Sequence, residues 1–227
     1  MVAEQDGRIV GSNFLDERSP IAGVGPITVD PGAQDSGVGR RLMEDVLSRV
    51  KQRDLPGVRL LQVAYHTRSL SLYAKLGFEV RDVLAVMHGD AIGEPVPGHV
   101  VRPAEERDIE DANRLCAAAH GYDRAGEVLD AVAQGWARVV ERDGRIAGYT
   151  TGLSFTGHSV TETNQGLKAL IGAAPESSDP GFLLPPRNVE VFAWCTKRGL
   201  RVRQLMTLMT RGAYQAPALP FLTSVLY

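Results

Sequence analysis

An internal repetition constrains the fold of this chain of 227 residues more than any other feature of its sequence. Residues 6–11 read Asp-Gly-Arg-Ile-Val-Gly, and residues 143–148 read Asp-Gly-Arg-Ile-Ala-Gly. In both places the Asp-Gly pair stands between two short runs of alternating apolar and polar residues, which predicts a β-hairpin with a two-residue turn. The alternative is two unrelated hairpins that share a favoured turn.

A second pair of segments repeats in the same order along the chain. Residues 66–78 and residues 188–200 both have the pattern of a helix that ends at a glycine, with an apolar residue entering a strand directly afterwards. When the two segments are aligned, Gly77 coincides with Gly199, and each glycine follows a lysine by two positions. The order of hairpin, helix, helix and strand therefore recurs, which favours a duplicated module.

The boundary between the two modules is predicted at residues 90–98, which are rich in Pro and Gly. This divides the chain into residues 1–89 and residues 98–227. In the second module 43 positions separate Val100 from the turn at Asp143, and a helix is predicted from about Glu105 to Ala118. Only five residues precede the turn at Asp6. The first module therefore lacks a strand and one or two helices; either the chain is a fragment of a longer product or something else covers that edge.

Composition narrows the class of protein. Hydrophobic residues make up 44% and charged residues 23%, which is typical of a globular chain, and the net charge of −2 gives no argument for binding nucleic acid or an anionic membrane. Cys116 and Cys195 are too few for a disulfide framework or a metal cluster. No apolar run reaches the roughly 18 residues of a membrane span, and no signal peptide pattern is present. We expect a cytoplasmic protein.

A glycine-rich turn in the first module has the pattern of a phosphate site. Residues 21–30 are predicted to form a strand, and residues 38–50 place apolar side chains at helical spacing. The turn between them contains Gly37 and Gly39, where free main-chain amides, a helix dipole and missing Cβ atoms would suit an anion. A tight strand-to-helix turn without a ligand is the alternative. The spacing is neither that of a Walker loop nor that of the dinucleotide fingerprint.

Two motifs in order carry a resemblance to a known family. Val29-Asp30-Pro31 followed by Gln34-x-x-Gly37-x-Gly39, and then Leu72-Tyr73-x-x-x-Gly77-Phe78, resemble the GNAT acyltransferase superfamily over residues 1–88. Residues 98–227 resemble a second, more divergent GNAT unit, opening with Val101-Arg102-Pro103-Ala104. The resemblance implies a duplicated α/β (α+β) fold with a mixed, mostly antiparallel sheet flanked by helices.

The same resemblance implies a binding site for acetyl-CoA or another acyl-CoA. The main chain at Ile27 and Val29 would bind the pantetheine arm, and His66 stands where the family often has an asparagine that contacts the cofactor. A surface histidine explains His66 equally well. The residues that would bind the pyrophosphate are Gln34, Asp35, Ser36, Gly37, Val38, Gly39 and Arg40.

Tyr73 is the candidate general acid. A phenol can supply the proton that a departing thiolate needs, although an ordinary core aromatic on an amphipathic helix is the alternative. No general base is assigned, because Asp16, Glu17 and Asp30 each fit equally well as solvated charges at strand ends.

The second module departs from the family pattern. Residues 161–170 contain one glycine where the first module has two, and Cys195 takes the position of Tyr73. The Cys195 thiol could act as a nucleophile, but a buried cysteine on a helix is usually inert packing. Trp136 and Trp194 are predicted to fill the core rather than to stack on a ligand. We expect this module to be a degenerate copy that supports the first, lines a substrate groove or binds something unrelated.

These features together predict an N-acyltransferase that moves an acetyl group directly from acyl-CoA to an amine of a small molecule or peptide, without a metal or redox cofactor. The alternative is a non-catalytic acyl-CoA-binding or scaffold protein, which the missing opening of the first module favours. The uncovered sheet edge near residues 1–5 is a route to a homo-oligomer.

Overall fold

The computed structural model describes residues 1–175 and 179–226. The first half contains helices α1 (Val38–Gln52) and α2 (Thr67–Lys75) and strands β1 (Val2–Gln5), β2 (Arg8–Ser12), β3 (Leu15–Asp16), β4 (Ile21–Val24), β5 (Thr28–Val29), β6 (Gly57–Val63) and β7 (Glu79–His88). The second half contains helices α3 (Ile109–His120), α4 (Ala125–Ala133), α5 (Asn164–Ala173) and α6 (Val189–Lys197) and strands β8 (Val100–Pro103), β9 (Arg138–Arg142), β10 (Arg145–Thr150), β11 (Ser159–Thr161), β12 (Phe182–Leu184), β13 (Arg201–Gly212) and β14 (Phe221–Leu222). Residues 90–98 contain neither a helix nor a strand.

Both predicted hairpins are confirmed. β1 pairs with β2, and β9 pairs with β10, each in antiparallel fashion around its Asp-Gly turn. Asp6 and Gly7 have φ values of 50° and 74°, and Asp143 and Gly144 have φ values of 52° and 76°. Positive φ at both central positions is the geometry that favours an aspartate followed by a glycine.

The largest sheet takes strands from both halves of the chain. Its order is β12-β7-β13-β6-β4-β3. β13 lies in the middle, antiparallel to β6 on one side and to β7 on the other, and β7 then pairs with β12. Each half therefore places its long strand beside a strand of the other half, so the predicted boundary at residues 90–98 does not separate two independent sheets.

Two smaller sheets complete the architecture. The five-stranded sheet has the order β14-β11-β10-β9-β8 and lies entirely in the second half. The three-stranded sheet has the order β1-β2-β5, so β1 is an edge strand. Its pairing with another chain remains a prediction.

The prediction of one continuous strand over residues 21–30 is wrong. Gly25, at a φ of +130°, and Pro26 separate β4 from β5. Proline has no N–H to donate to a ladder, so the pairing stops there. β4 stays parallel to β6, whereas β5 moves to β2.

Helices α1 and α2 cover one face of the large sheet. The apolar face predicted for α1 is confirmed: Val38, Leu42, Met43, Val46 and Val50 are buried, and only Leu47 is half-buried. Met43, Val46 and Val50 belong to one hydrophobic cluster with Ala22, Val24, Val58 and Leu60 of the sheet. Val38 and Leu42 belong to a second, smaller cluster. Full burial of a side chain such as Met43 contributes about 1.5–3 kcal/mol.

Trp136 does not fill the core as predicted, whereas Trp194 does so in part. Trp136 follows Gly135, whose φ of +72° turns the chain after α4, and the indole is 63% exposed. Trp194 is half-buried and packs against the core cluster of the second half, with the Arg198 guanidinium 4.4 Å from its ring centre. The apolar character of Trp136 alone did not reveal that it lies beyond the end of a helix.

Candidate functional site

The turn between β5 and α1 opens the candidate site. Asp30 accepts a hydrogen bond of 2.7 Å from the Gly32 amide and starts a single 3-10 turn over Pro31–Ala33. Asp35 and Gly37 then take φ values of +65° and +85°, and α1 begins at Val38. This local geometry brings several amides into one short turn, called the cradle turn below (residues 34–40).

The main-chain amides of residues 35–40 have no acceptor among the described residues; the next amide, that of Arg41, donates to the Gly37 carbonyl over 3.1 Å. Residues 34–37 are exposed, and a Cβ built on Gly37 would meet nothing within 4 Å. The cradle turn therefore faces open space, with a row of free donors at the N-terminus of a 15-residue helix. Such a terminus attracts anions.

The side chains of the cradle turn serve different purposes. The Ser36 hydroxyl donates to the Ala33 carbonyl over 2.6 Å, which stiffens the turn. Val38 is buried in a small apolar cluster, so it offers only its amide to a ligand. Arg40 is exposed and lies 3.6 Å from Glu44 on the next turn of the helix.

Arg68 belongs to this site and was missed in the sequence. From the first turn of α2 its guanidinium donates to the Gln34 side-chain oxygen over 3.3 Å and forms an ion pair with Asp35. The available signal was a cation in the first turn of a helix that has no acid there, the opposite of what the helix dipole favours. A bound anion in front of the cradle turn would be stabilised by this charge.

A gap opens beside the cradle turn where two strands separate. β4 and β6 run parallel as far as the pair Val24↔Leu60, after which β6 continues to Val63 while β5 pairs with β2. The Asp30 amide donates to Val10 of β2 over 2.8 Å, and successive residues of a strand point to opposite edges, so the main-chain groups of Val29 point away from β2. The half-buried Ile27 has an amide without an acceptor in the described chain.

Gly39 connects three predicted parts of the site. A Cβ built there would lie 3.7 Å from Val29 Cγ2 and 3.9 Å from Leu72 Cδ2. The cradle turn, the edge of β5 and the middle of α2 therefore meet at Gly39. The α2 residue in this contact, Leu72, directly precedes Tyr73 in the sequence.

Tyr73 lies on the buried face of α2. It is 5% exposed and packs with its ring edge toward Phe78, with ring centroids 6.2 Å apart. Its hydroxyl has no hydrogen-bond partner within residues 1–175 and 179–226, and burial raises its pKa above the usual 10. The phenol is therefore protonated at neutral pH and its donor is unused.

His66 is exposed at the N-terminal end of α2, and its side chain makes no capping hydrogen bond. Its ring lies 4.5 Å from the ring of the exposed Tyr65. The three carboxylates left open as general bases are all engaged: Asp16 pairs with Arg18, Glu17 pairs with Arg49, and Asp30 caps Gly32.

The corresponding gap of the second half, between β11 and β12, is filled by the chain itself. β14 pairs with β11, and the Thr223 amide donates to Leu183 of β12 over 3.2 Å. At the N-terminus of α5 the Thr163 hydroxyl accepts a bond of 3.2 Å from the Gly166 amide. Burial raises the pKa of the Cys195 thiol to about 12, so this cysteine is an inert packing residue at neutral pH.

The sequence profile of the Acetyltransferase (GNAT) domain matches residues 1–80. Residues 1–80 are thus similar to a GNAT domain. The matched region contains the cradle turn, the gap between β5 and β6, and Tyr73.

Two relatives resemble the chain over this region. Mycothiol acetyltransferase of Thermomonospora curvata is 38% identical over 78 residues, which are 34% of this chain and 26% of that protein. Mycothiol acetyltransferase of Nocardia farcinica is 40% identical over 75 residues, 31% of this chain and 25% of that protein. The matched segment spans about a quarter of each relative's length.

The fold resembles solved structures over more of the chain than residues 1–80. A putative acetyltransferase from Pyrococcus horikoshii superposes with a TM-score of 0.73 at 16% identity, over 93% of this chain and 73% of that one. A GCN5-related N-acetyltransferase from Anabaena variabilis gives 0.53 at 13% identity, over 92% and 61%. The predicted mixed α/β fold of GNAT type is confirmed.

In the described part of the chain no helix is both long and apolar enough to cross a membrane. Within the same residues no group of three or more His, Cys, Asp or Glu side chains is placed to hold a metal ion.

Proposed function

We propose that this chain transfers an acetyl group from acetyl-CoA to the nitrogen of an amine acceptor, with the reaction in its first half. The observation that carries the proposal is the row of free amides at residues 35–40, at the N-terminus of α1 and beside the exposed residues 34–37. A diphosphate offers many acceptor oxygens and negative charge, which match those donors and the helix dipole. Arg68 adds a positive charge at the same place.

The gap between β5 and β6 supports the second part of the proposal. The free main-chain groups of Ile27 and Val29 would bind the amide-containing pantetheine arm as a neighbouring strand would. The approach of Val29 and Leu72 to Gly39 links this gap to the cradle turn and to α2. His66 would lie at the exposed end of the same helix.

Tyr73 would act as the general acid. The acceptor nitrogen attacks the thioester carbonyl carbon, the C–S bond breaks, and the Tyr73 hydroxyl gives its proton to the departing thiolate. Burial keeps the pKa of the phenol above 10, so the proton is present at neutral pH. The attacking amine loses its proton to solvent or to a base that we do not assign.

Isothermal titration calorimetry with acetyl-CoA tests the binding site. We expect one site per chain, because β14 fills the equivalent gap of the second half. Gly37→Glu should abolish binding by placing a carboxylate and bulk in front of the amides. Gly144→Glu is the matched control, since Gly144 also has a positive φ and open surroundings and shares the backbone strain. Two sites, or none, would contradict the proposal.

The alternative of a protein that binds acyl-CoA without reacting is separated by a thiol-release assay. The panel of amines includes small amines, peptide N-termini and the natural acceptor of mycothiol acetyltransferase, the name that both relatives carry. Release of thiol above the hydrolysis rate with at least one amine supports transfer. Binding at one site without release by any member supports the alternative.

A further inference from the structure

A cavity of about 680 Å³ lies in the second half of the molecule. It is open to solvent on one side and is bounded by the C-terminal part of α4, the ends of β8, β9 and β10, the loop at residues 151–157 and the C-terminal end of α5. Arg18 from the first half and Leu226 complete its wall. The volume falls in the range of about 300–1,000 Å³ that is usual for small-molecule sites.

This cavity is separate from the acyl-CoA site proposed above. No residue of the cradle turn lines it. In the second half it is lined by Leu170 and Ala173 at the C-terminal end of α5 and by the following residue Ala174, whereas the equivalent of the cradle turn would lie at the N-terminus of that helix. At 1.5 Å per residue these ends are about 15 Å apart.

The charged groups of the wall are compensated, with one exception. Arg18 pairs with Asp130 over 2.7 Å, and Arg102 pairs with Asp108 over 2.6 Å. Glu127, at the base of the cavity, accepts two hydrogen bonds from the buried Arg124. The exception is Arg138.

Arg138 has no carboxylate within salt-bridge distance in the described chain. Its Nη1 donates to the carbonyls of Gly135 and Ala137 over 2.8 and 2.9 Å, which anchors the guanidinium at the cavity wall. Nε and Nη2 make no hydrogen bond to any described residue. A half-buried cation with two unused donor positions matches the geometry of a carboxylate.

Trp136 is the second unusual group of the wall. It lines the cavity and is 63% exposed, although a large aromatic side chain normally gains stability from burial. Ala131, Leu153 and Leu170 add apolar surface to the same wall. The cavity thus combines apolar and aromatic surface with a cation that has no carboxylate partner among the described residues.

We propose that this cavity binds a small organic anion, with its carboxylate on Arg138 and an apolar or aromatic body against Trp136 and the aliphatic wall. Because Arg18, Arg102 and Glu127 are each neutralised by an ion pair, the positive charge of Arg138 determines that the ligand is an anion. The ligand is bound between the two halves, since Arg18 belongs to the first.

Tryptophan fluorescence tests this site directly. Trp136 and Trp194 are the two tryptophans of the chain, so Trp194→Phe leaves Trp136 as the reporter. In that background we expect phenylacetate to change the emission saturably, and the uncharged phenylacetamide to bind at least about tenfold more weakly, as loss of a charge-assisted pair requires. Saturating acetyl-CoA should leave the phenylacetate titration unchanged, because it binds elsewhere.

Two variants sharpen the result. Arg138→Gln should weaken phenylacetate by about tenfold and remove the preference over phenylacetamide. Arg142→Gln should change neither the affinity for phenylacetate nor this preference, because Arg142 lies on the same strand but outside the cavity.

Absence of a saturable change with phenylacetate, or equal affinity for the two probes, overturns the proposal even if Arg138→Gln fails to fold. Inorganic phosphate that binds as tightly as phenylacetate overturns the role of the apolar body, and competition by acetyl-CoA overturns the separate site.

Discussion

Gly23 of β4 and Leu226 near the C-terminus touch through main-chain atoms: a Cβ built on Gly23 would lie 1.8 Å from the Leu226 carbonyl oxygen. The segment that carries Leu226 also contains β14 and Thr223, which fill the gap between β11 and β12. One stretch of chain therefore closes the gap of the second half and packs against the first.

Gly23→Ala should destabilise the protein by about 1–3 kcal/mol, because a backbone carbonyl must move to admit the methyl group. Urea unfolding followed by circular dichroism measures the change. Gly126→Ala is the control, since its added Cβ would lie 3.4 Å from Arg18 atoms, an ordinary contact, and helix propensity favours alanine. Equal stability of Gly23→Ala and the wild type would show that Leu226 does not pack there.

Arg68→Gln should weaken acetyl-CoA binding by about tenfold at low salt, because the guanidinium beside the cradle turn is lost. The effect should shrink at high salt, since the pair is exposed. Asp35→Asn should act in the opposite direction, because it removes a negative charge near the phosphates and frees Arg68 while asparagine tolerates the positive φ. Calorimetry measures both, with Arg107→Gln, an exposed arginine of the second half, as the control. Unchanged affinity in both cradle variants would remove Arg68 from the site.

Tyr73→Phe should lower kcat by about 100-fold and leave both KM for acetyl-CoA and the thermal midpoint nearly unchanged. The stability should hold because the hydroxyl makes no hydrogen bond to a described residue. In the wild type, burial raises the pKa of Tyr73, so its ionisation should not reduce kcat below about pH 10. Steady-state kinetics from neutral to alkaline pH measures these effects. A kcat equal to that of the wild type would exclude the general-acid role.

Stability should fall on acidification below pH 6.5. Burial, followed by the nearby Arg124 and Arg59 charges, lowers the pKa of His120 to about 3, so the unfolded chain binds this proton more readily than the folded one. Between pH 6.5 and pH 5 the loss is about 1.6 kcal/mol for His120, and the buried His158 contributes with the same sign.

Urea unfolding at the two pH values measures this loss. His120→Leu should be less sensitive to pH by about 1.6 kcal/mol. A pH dependence that is the same in this variant and the wild type would mean that His120 is not held neutral.

The elements whose signals are local could be predicted from the sequence. Both Asp-Gly hairpins, the apolar face of α1 and the helix-ending glycines Gly77 and Gly199 follow from φ preferences and from helical periodicity over a few residues. The cradle turn was located for the same reason, because Gly37, the strand before it and the helix after it are neighbours in the chain. The role of its residues in binding remains a proposal.

The sequence alone determined most of the local elements and the resemblance of the first half to the GNAT superfamily, because hydrogen bonds and side-chain periodicity within a short segment encode them. Only the tertiary structure decided how those elements pair. β13 crosses to β6 and β7, Arg68 reaches Asp35, and β14 enters the gap of the second half. At the wall of the cavity, no carboxylate of residues 1–175 or 179–226 pairs with Arg138. Each of these depends on contacts between residues far apart in the chain. The sequence does not indicate which partner folding brings to a strand edge or to a charged side chain.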